Sequence, residues 1–551
     1  MLTLRPRAAR ATILPQFGQQ VDRPVVTRPR THRSVPIVIW LPSLLVATVA
    51  VIPLLYLVLR AAEAGPGTWD LLVRPRTARI AGNTALLATA VAVSTTVIAV
   101  PLAWLTTRTD LPGRRFWGTA AALPLVIPSY VGALAIIASL GPRGLLQGML
   151  EPLGVERLPA IYGFWGSWLT LTLFTYPYVF LAVRAALRGM DPALEEAARC
   201  LNRGPWRTFF TCTLPQLRPA VAAGALLAAL YSVGDFGVVT LLRFDAFTRA
   251  IYVQYRSVFD RSAAAALALL LVLFAVILLL AEARVRGRAT YYRIGSGAAR
   301  RARPVPLGRW RYPALAFCAG VIGLALGLPL AVLGFWFGRS LDRDVEAGSL
   351  ATATLHSLTL GGWAAAVTTL AALPLAILAV RYRRGLGMVA ERASFLGYAL
   401  PGIVIALAFV AIGVQTPFHQ TLPLLIVAYG VRFLPQAIGS SRLSLLQISP
   451  RLEEAARSLG RSQAEAVARI TIPLARPGIL AGAALVWLTT MKELPTTLLL
   501  SPTGYDTLAT KIWTASTDAQ YGAAAGPALL LILISAVPTL FLAVRDQTAA
   551  G

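Results

Sequence analysis

The chain has few charged residues, few cysteines and histidines, and only two lysines. Of its 551 residues, 14% are charged and 56% are hydrophobic, a balance that excludes an ordinary soluble domain. The three cysteines and three histidines show no disulfide or metal-ligand spacing. Neither lysine follows a glycine, which excludes a phosphate-binding Gly-Lys-Ser/Thr loop. We therefore expect no metal, no cofactor and no ATP site in this chain.

Apolar runs long enough to cross a bilayer recur along the whole chain. A helix needs about 20 apolar residues to span a hydrocarbon core about 30 Å thick. No strand pattern competes with these runs, so the predicted fold is an all-α polytopic membrane protein. The twelve predicted spans lie at 36–60, 83–107, 118–140, 165–189, 219–242, 262–283, 313–337, 357–380, 393–414, 421–440, 477–500 and 523–544.

The net charge of +27 follows the topology of the chain and does not indicate a nucleic-acid partner. With the N-terminus inside, the inner segments carry about three times as many Lys and Arg as the outer loops. This bias predicts that both termini are cytoplasmic and that the partner surface is a lipid bilayer. Residues 1–35 are arginine-rich and lack a compact apolar region with a cleavage site, so they predict a basic cytoplasmic extension.

The second half of the chain repeats the first. "EEAARCLNRGPWRTFFTCTLPQLRP", which starts at residue 195, aligns without a gap with "EEAARSLGRSQAEAVARITIPLARP", which starts 258 residues later at 453. Nearer the start of each half, "IPSYVGALA" at 127 matches "LPGIVIALA" at 400, an offset of 273. Because each half has an even number of spans, the two six-helix repeats have parallel orientation. The predicted divisions are 1–35, first repeat 36–283, cytoplasmic linker 284–312, second repeat 313–545 and tail 546–551.

Each repeat carries a short, well-bounded helix in the cytoplasmic loop after its fourth span. In the second repeat Ser449 is the predicted N-cap and Gly460 the left-handed closing residue. In the first repeat Asp191 takes the cap position and Asn202 replaces the glycine. An amphipathic helix at the membrane surface would explain one such segment. Two segments with matching caps and length favour a functional role.

These two segments resemble the cytoplasmic signature of binding-protein-dependent ABC transporter permeases, Glu-Ala-Ala followed by Gly, Ile and Leu-Pro at fixed spacing. The resemblance implies a coupling helix that docks on a separate ATP-binding subunit, expected to be a homodimer. It also implies a periplasmic substrate-binding protein, a bacterial inner-membrane location, and a transport subunit that is not itself an enzyme. The matching residues are Glu196, Ala197, Ala198 and Asn202 in the first repeat, and Glu454, Ala455, Ala456 and Gly460 in the second.

Ionisable residues stand at matched positions in the fifth span of each repeat. Asp235 aligns with Glu493, and Lys492 and Pro495 flank the second carboxylate. Lys492 lies about 22 Å along the helix from the start of its span. Such charges either have a structural role, neutralised by a neighbouring helix, or line a water-filled pathway. We favour the pathway and hypothesise that at least one of Lys492 and Glu493 is paired across the two repeats, with Asp235 as the candidate partner.

The sequence around these charges resembles ferric-iron permeases that serve a periplasmic iron-binding protein. The stretches are "GDFGVVTLLRFDAFTRAIYVQYRSVFD" from 234 and "MKELPTTLLLSPTGYDTLATKIW" from 491. Thiamine permeases share the tandem layout and are the alternative. Ferric iron prefers oxygen ligands, but outer-face Asp and Tyr equally anchor helices, so we expect docking of a loaded binding protein and no direct ligation. The outer residues concerned are Asp245, Tyr252, Tyr255, Asp260, Asp506 and Tyr521.

Two other classes of membrane protein share some of these features. An ion-coupled secondary transporter also has repeats and intramembrane carboxylates, but it does not explain two capped cytoplasmic helices. A scaffold or sensor would need a soluble signalling domain, which the sequence lacks. We therefore expect alternating access, in which closure of the ATP-binding subunits draws the helices at 192–201 and 450–459 together and opens a central cavity outward.

Overall fold

The computed structural model describes most of the two predicted repeats. The predicted extension at 1–35, most of the linker and the last three residues lie outside the described part. The last helix of the first repeat continues to Gly287, past the predicted boundary at 283, because the helical pattern persists into the arginine-rich segment. The described residues are 36–63, 70, 72–142, 144–155, 158–191, 193–202, 204–256, 260–287, 304–341, 347–382, 397 and 400–548.

Eleven helices of the described residues are long and apolar enough to cross a membrane. The all-α polytopic fold is confirmed. A shorter apolar helix, Gly402–Val414, lies within the predicted ninth span, most of whose first residues are outside the described part. The long helices, with this one, are Ile37–Ala62, Pro75–Arg108, Ser129–Leu140, Phe164–Gly189, Leu214–Gly234, Arg261–Gly287, Arg311–Ile322 with Leu328–Ser340, Ala347–Arg381, Gly402–Val414, Leu422–Gln447, Ile472–Met491 and Tyr521–Thr548.

Short helices connect or interrupt these long ones. In the first repeat the longest, Phe247–Arg256, precedes the sixth span, and in the second repeat Leu508–Thr517 takes the equivalent place. The short α-helices are Arg114–Ala120, Leu145–Leu150, Ala193–Cys200, Pro205–Thr208, Gly237–Leu241, Phe247–Arg256, Pro450–Ser458, Gln463–Ala466, Pro495–Leu500 and Leu508–Thr517.

Both predicted fifth spans, at 219–242 and 477–500, are interrupted in the structure. The first of these helices ends at Gly234 and restarts as Gly237–Leu241, and the second ends at Met491 and restarts as Pro495–Leu500. Proline has no N–H to donate into the preceding turn, which favours the second break. The predicted third span at 118–140 is also interrupted, because its long helix begins only at Ser129, after Pro128.

A wide helical turn precedes the fifth span in both repeats. Residues Phe209–Thr213 and Val467–Thr471 form π-helical turns at positions 258 residues apart. Each is followed by an X-Pro pair whose proline cannot donate to the carbonyl four residues earlier. Irregular turns of this type often mark functional positions in helices, and here the two repeats share them.

The first helix of each repeat packs on the other repeat. Ile37–Ala62 lies against Ala347–Arg381 and Gly402–Val414, and Leu328–Ser340 lies against Ser129–Leu140. The buried cores follow the same exchange, because side chains of the first span belong to the cluster that contains most of the second repeat. Lipid is as apolar as leucine, so close packing and polar contacts hold such helices together. The two repeats therefore form one intertwined body.

Candidate transport cavity and coupling helices

A cavity of about 600 Å³ lies between the two repeats, lined by residues of both. Its volume falls in the range of ordinary small-molecule sites. All four residues predicted to form a pathway line it, namely Asp235, Lys492, Glu493 and Pro495. The four residues predicted from the sequence to lie along a pathway therefore border the same cavity.

In the first repeat, Asp235 holds the break in the fifth span. Ser129 donates a hydrogen bond to one carboxylate oxygen of Asp235, and the backbone N–H of Val238 donates to the other at 2.8 Å. The hydroxyl of Thr248 donates to the Asp235 carbonyl at 2.6 Å. A helix start inside a membrane leaves N–H groups without partners. Asp235 therefore caps the helix Gly237–Leu241 and lines the cavity at once.

In the second repeat, Glu493 does the same at the matched position. Its Oε1 accepts hydrogen bonds from the Thr496 backbone N–H at 3.4 Å and from the Thr496 hydroxyl at 2.8 Å. The Thr497 hydroxyl donates to the Glu493 carbonyl at 2.5 Å. A carboxylate at a helix N-terminus is also favoured by the helix dipole. Each of the two carboxylates therefore stabilises the start of a helix and also lines the cavity, so a structural role and a position along a pathway are compatible.

Arg432 is the ion-pair partner of Glu493 at the second break, and it was not among the residues predicted from the sequence. Its Nε lies 3.1 Å from Oε2 of Glu493, and Glu493 is 7% exposed. The signal was present as an arginine inside the apolar run at 421–440, since intramembrane charges are costly without a partner. The second carboxylate is therefore paired within its own repeat.

Glycines make room for both capped breaks. A Cβ on Gly402 would lie 2.5 Å from the Arg432 Nη1 and 2.5 Å from the Glu493 Oε1. A Cβ on Gly237 would lie 2.5 Å from the Cβ of Tyr130. A Cβ at either position would require the neighbouring atoms to move, so glycine is the residue that fits the present packing.

Lys492 crosses between the repeats, but to a partner other than the predicted one. Its Nζ donates a hydrogen bond to the Leu125 carbonyl at 3.2 Å. Leu125 belongs to the short 3-10 turn that interrupts the third span, where helix geometry leaves carbonyls available. The ion pairs among the described residues do not join Lys492 to Asp235. The contact that Lys492 makes across the repeats is thus to a backbone carbonyl and not to the Asp235 carboxylate.

The cavity carries two basic and two acidic side chains, which makes its formal charge balanced. They are Asp235, Arg432, Lys492 and Glu493. Among the described residues, no three His, Cys, Asp or Glu side chains are grouped closely enough to hold a metal ion. The cavity is thus a polar space between two helix breaks, with neutral polar groups such as Gln436 beside the charges.

The outer oxygen-bearing residues make structural contacts. Asp245 forms an ion pair with Arg249, one turn along. Asp260 accepts hydrogen bonds from two backbone N–H groups at the start of the sixth span, at 3.1 and 2.9 Å. The rings of Tyr252 and Tyr521 pack on aromatic neighbours at 4.9 and 5.4 Å between centroids. These contacts agree with the expectation that such residues anchor helices.

The two short helices predicted at 192–201 and 450–459 are observed as Ala193–Cys200 and Pro450–Ser458, and residue 192 lies outside the described part. The Asp191 carboxylate accepts from the Ala193 N–H at 3.0 Å, and the Ser449 hydroxyl accepts from the Arg451 N–H at 3.4 Å. At the other end Asn202 has φ of 58° and Gly460 has φ of 84°. Both closing residues are left-handed, so the asparagine satisfies the backbone requirement that glycine meets in the second repeat.

The first glutamate of each "EEAA" sequence anchors its helix, a feature that the sequence analysis missed. Glu195 and Glu453 are each 4% exposed. Glu453 Oε1 lies 2.9 Å from Arg381 Nε and accepts from the Thr471 hydroxyl at 2.8 Å. Arg381 is the last residue of the eighth span. The anchor therefore joins a membrane span, the helix Pro450–Ser458 and the π turn before the fifth span of the second repeat.

The first repeat has the same anchor in a looser form. Glu195 Oε1 accepts from the Thr213 hydroxyl at 2.9 Å but lies 4.0 Å from Arg108 Nε. The Arg108 guanidinium also donates to the Leu187 carbonyl at 2.9 Å. The sequence shows that Glu195 aligns with Glu453 at the repeat offset. It does not show which of the two adjacent glutamates in each helix faces inward, and so it did not predict this contact.

The predicted docking residues divide between exposed and buried faces. In the second helix Glu454 and Ala455 are exposed and Ala456 is buried. In the first helix Glu196 is half-buried and Ala198 is buried, and Ala197 lies on the helix. Leu201 and Leu459, which align with each other, are 75% and 83% exposed. An exposed leucine thus directly follows each of the two short helices.

Residues 97–290 and 371–548 match the family described as binding-protein-dependent transport system inner membrane component. The chain belongs to this family. The two matches fall on the two repeats, which confirms the tandem arrangement and the multi-pass membrane location. Permeases of this family work with an ATP-binding subunit and a substrate-binding protein, and the chain is therefore the permease subunit of an ABC importer.

Relatives of this permease include both fused and single-copy proteins. It is 34% identical to the Fe(3+)-transport system permease protein FbpB 2 of Haemophilus influenzae over 93% of this chain and 98% of that one. It is 25% identical to the ferric transport system permease protein FbpB of Actinobacillus pleuropneumoniae over 84% of this chain and 70% of that one. The molybdenum transport system permease protein ModB of Escherichia coli is 36% identical over 24% of this chain and 58% of its own.

Proposed function

We propose that this permease moves ferric iron, delivered by a periplasmic binding protein, into the cytoplasm. The observation that carries the proposal is the end-to-end similarity to a relative named for Fe(3+) transport, which extends through both fifth-span breaks. The molybdenum relative covers about a quarter of the chain. Similarity over the full length of both repeats favours iron over molybdate as the cargo.

The cytoplasmic helices are the proposed docking points for a homodimeric ATP-binding subunit. Two equivalent helices suit two equivalent clefts, and the exposed Leu201 and Leu459 supply apolar contact area. The positive-inside bias supports cytoplasmic termini. When the nucleotide-binding subunits close, the helices approach each other, and each anchor carries the displacement into its fifth span.

The fifth span connects the docking point to the cavity in each repeat. Ile472–Met491 has 20 residues, about 30 Å of helix. It begins directly after the π turn held by Glu453 and ends at Lys492 in the cavity wall. A tilt of this rod would move the charged break at its end. We propose that Asp235, Lys492, Glu493 and Pro495 line the substrate pathway for this reason.

Uptake of radioactive iron into proteoliposomes tests the proposal. The vesicles contain the permease and its ATP-binding subunit, with ATP inside and the iron-loaded binding protein outside. We expect ATP-dependent iron uptake that excess thiamine, molybdate or sulfate does not inhibit. Uptake of thiamine or molybdate with their own binding proteins, and none of iron, would overturn the assignment of the cargo while leaving the importer class intact.

A further inference from the structure

The linker between the repeats lies against the cytoplasmic end of the second span. The Val305 N–H donates to the Arg108 carbonyl at 2.8 Å, and the Asp110 N–H donates to the Val305 carbonyl at 3.2 Å. These bonds form a short parallel bridge between Thr109 and Val305. The Leu307 N–H then donates to the Asp110 carboxylate at 2.8 Å. The linker is thus fixed beside Arg108, the residue that faces the first anchor glutamate.

An aromatic row extends this contact to the segment after the first coupling helix. The Trp310 ring lies 6.3 Å from that of Trp206, and Trp206 lies 6.1 Å from Trp104. Trp104 in turn meets the edge of Phe209 at 5.5 Å. Phe209 begins the π turn of the first repeat. Trp310 directly precedes the seventh span, so the row connects the second repeat to the segment that follows the first coupling helix.

In the second repeat, a side-chain hydrogen bond joins the end of the eighth span to the segment after the second coupling helix. Gln463 Nε2 donates to the Tyr382 hydroxyl at 2.7 Å. At the repeat offsets Tyr382 aligns with Thr109 and Gln463 aligns with Pro205. A threonine and a proline cannot make that bond, since proline offers no polar side chain.

We propose that Val305–Trp310 is a positioning clamp for the first coupling helix, in place of the Tyr382–Gln463 tie of the second. The looser anchor of the first repeat, 4.0 Å against 2.9 Å, leaves that helix more dependent on the clamp. Because the clamp continues into the seventh span, movement of the first coupling helix also reaches the second repeat directly. This role rests on the proposed function of the coupling helices.

Amide hydrogen exchange tests the clamp without any transport assay. In the Trp310→Ala permease, amides of residues 204–213 should exchange about threefold faster, while those of 463–471 stay unchanged. Trp310→Phe should restore protection. Trp165→Ala is the control, because Trp165 is similarly exposed, at 66%, and lies in the fourth span away from these contacts. Equal exchange in 204–213 for Trp310→Ala and the wild type would overturn the clamp.

A double-mutant cycle tests its positioning role in the importer. Trp310→Ala should reduce binding-protein-stimulated ATP hydrolysis about threefold. Combined with Glu196→Lys it should cause little further loss, because both act on the first docking site. Combined with Glu454→Lys the losses should multiply. Multiplying losses in both pairs would contradict the clamp. If the exchange result holds but the wild type shows no stimulation by the binding protein, the clamp stands and the proposed function fails.

Discussion

At the scale of single residues, Asp235 and Glu493 show how a buried carboxylate serves structure and transport together. Each caps the helix that restarts after a break, and each lines the shared cavity. Their surroundings differ, since Glu493 has Arg432 as an ion-pair partner and Asp235 has the hydroxyl of Ser129. The two repeats therefore place the same charge at the same position but stabilise it differently.

Replacement of Lys492 tests the contact across the repeats. Lys492→Met should lower the uptake rate about tenfold, because a charge-assisted bond to the Leu125 carbonyl is lost. The measurement is initial uptake in proteoliposomes at matched protein levels. The chain's other lysine gives the control, since Lys511 bonds to Ser349 outside the cavity wall. Equal losses in Lys492→Met and Lys511→Met would show that the cavity position has no special role.

A methyl group at Gly402 should disturb the ion pair behind it. Gly402→Ala places a Cβ 2.5 Å from both Arg432 and Glu493, so we expect a destabilisation of about 1–3 kcal/mol. Thermal unfolding of the purified permease in detergent measures this as a lower midpoint. Gly439→Ala is the matched control, because nothing lies within 4 Å of its added Cβ. A midpoint for Gly402→Ala equal to that of the control would refute the close packing.

At the scale of elements, the two anchors predict unequal effects in the two repeats. Glu453→Ala leaves the Arg381 guanidinium buried without its carboxylate at 2.9 Å, and should lower coupled uptake about tenfold. Glu195→Ala breaks a contact of 4.0 Å and should cost about threefold. Uptake and ATP hydrolysis measured together give the coupling, with the exposed outer residue Glu63→Ala as control. A larger loss for Glu195→Ala would contradict this ranking.

The coupling helices also show how far the sequence could predict the structure. Their caps, lengths and closing residues follow from local chemistry, so Ser449, Asp191 and Asn202 behave as the sequence indicates. Which of two adjacent glutamates faces inward depends on tertiary packing, because neighbours on a helix differ by about 100°. For the same reason the sequence did not predict that Arg432 would reach Glu493, or that Lys492 would bond to a carbonyl.

The helix breaks were foreseeable in part. Pro495 stands beside the second break, but the apolar runs continue through both breaks, so the sequence does not show where the helices end and restart. In a membrane a break persists only where other groups satisfy the freed backbone. Those groups are the two carboxylates, which accept from backbone N–H groups, and the hydroxyls of Thr248 and Thr497, which donate to backbone carbonyls.

At the scale of the whole molecule, the exchange of first helices predicts that the repeats depend on each other. If the chain is divided between residues 288 and 303, the two fragments should assemble when they are produced together. Each fragment alone should be degraded, because its core lacks the helix that the other repeat supplies. Co-purification through a tag on one fragment measures assembly. Two fragments that are stable alone and do not co-purify would contradict the intertwined fold.

The distance between the two proposed coupling helices tests most directly whether they approach each other when ATP binds. Cys200 and Ser458 are exposed and aligned in the two repeats, so Ser458→Cys creates a matched pair for spin labels once Cys212→Ser and Cys318→Ala are introduced. Pulsed electron resonance then compares the nucleotide-free importer with the state trapped in ATP. If closure of the ATP-binding subunits draws the two helices together, the distance is shorter in the trapped state. An unchanged or longer distance, in preparations that hydrolyse ATP in response to the binding protein, would contradict it.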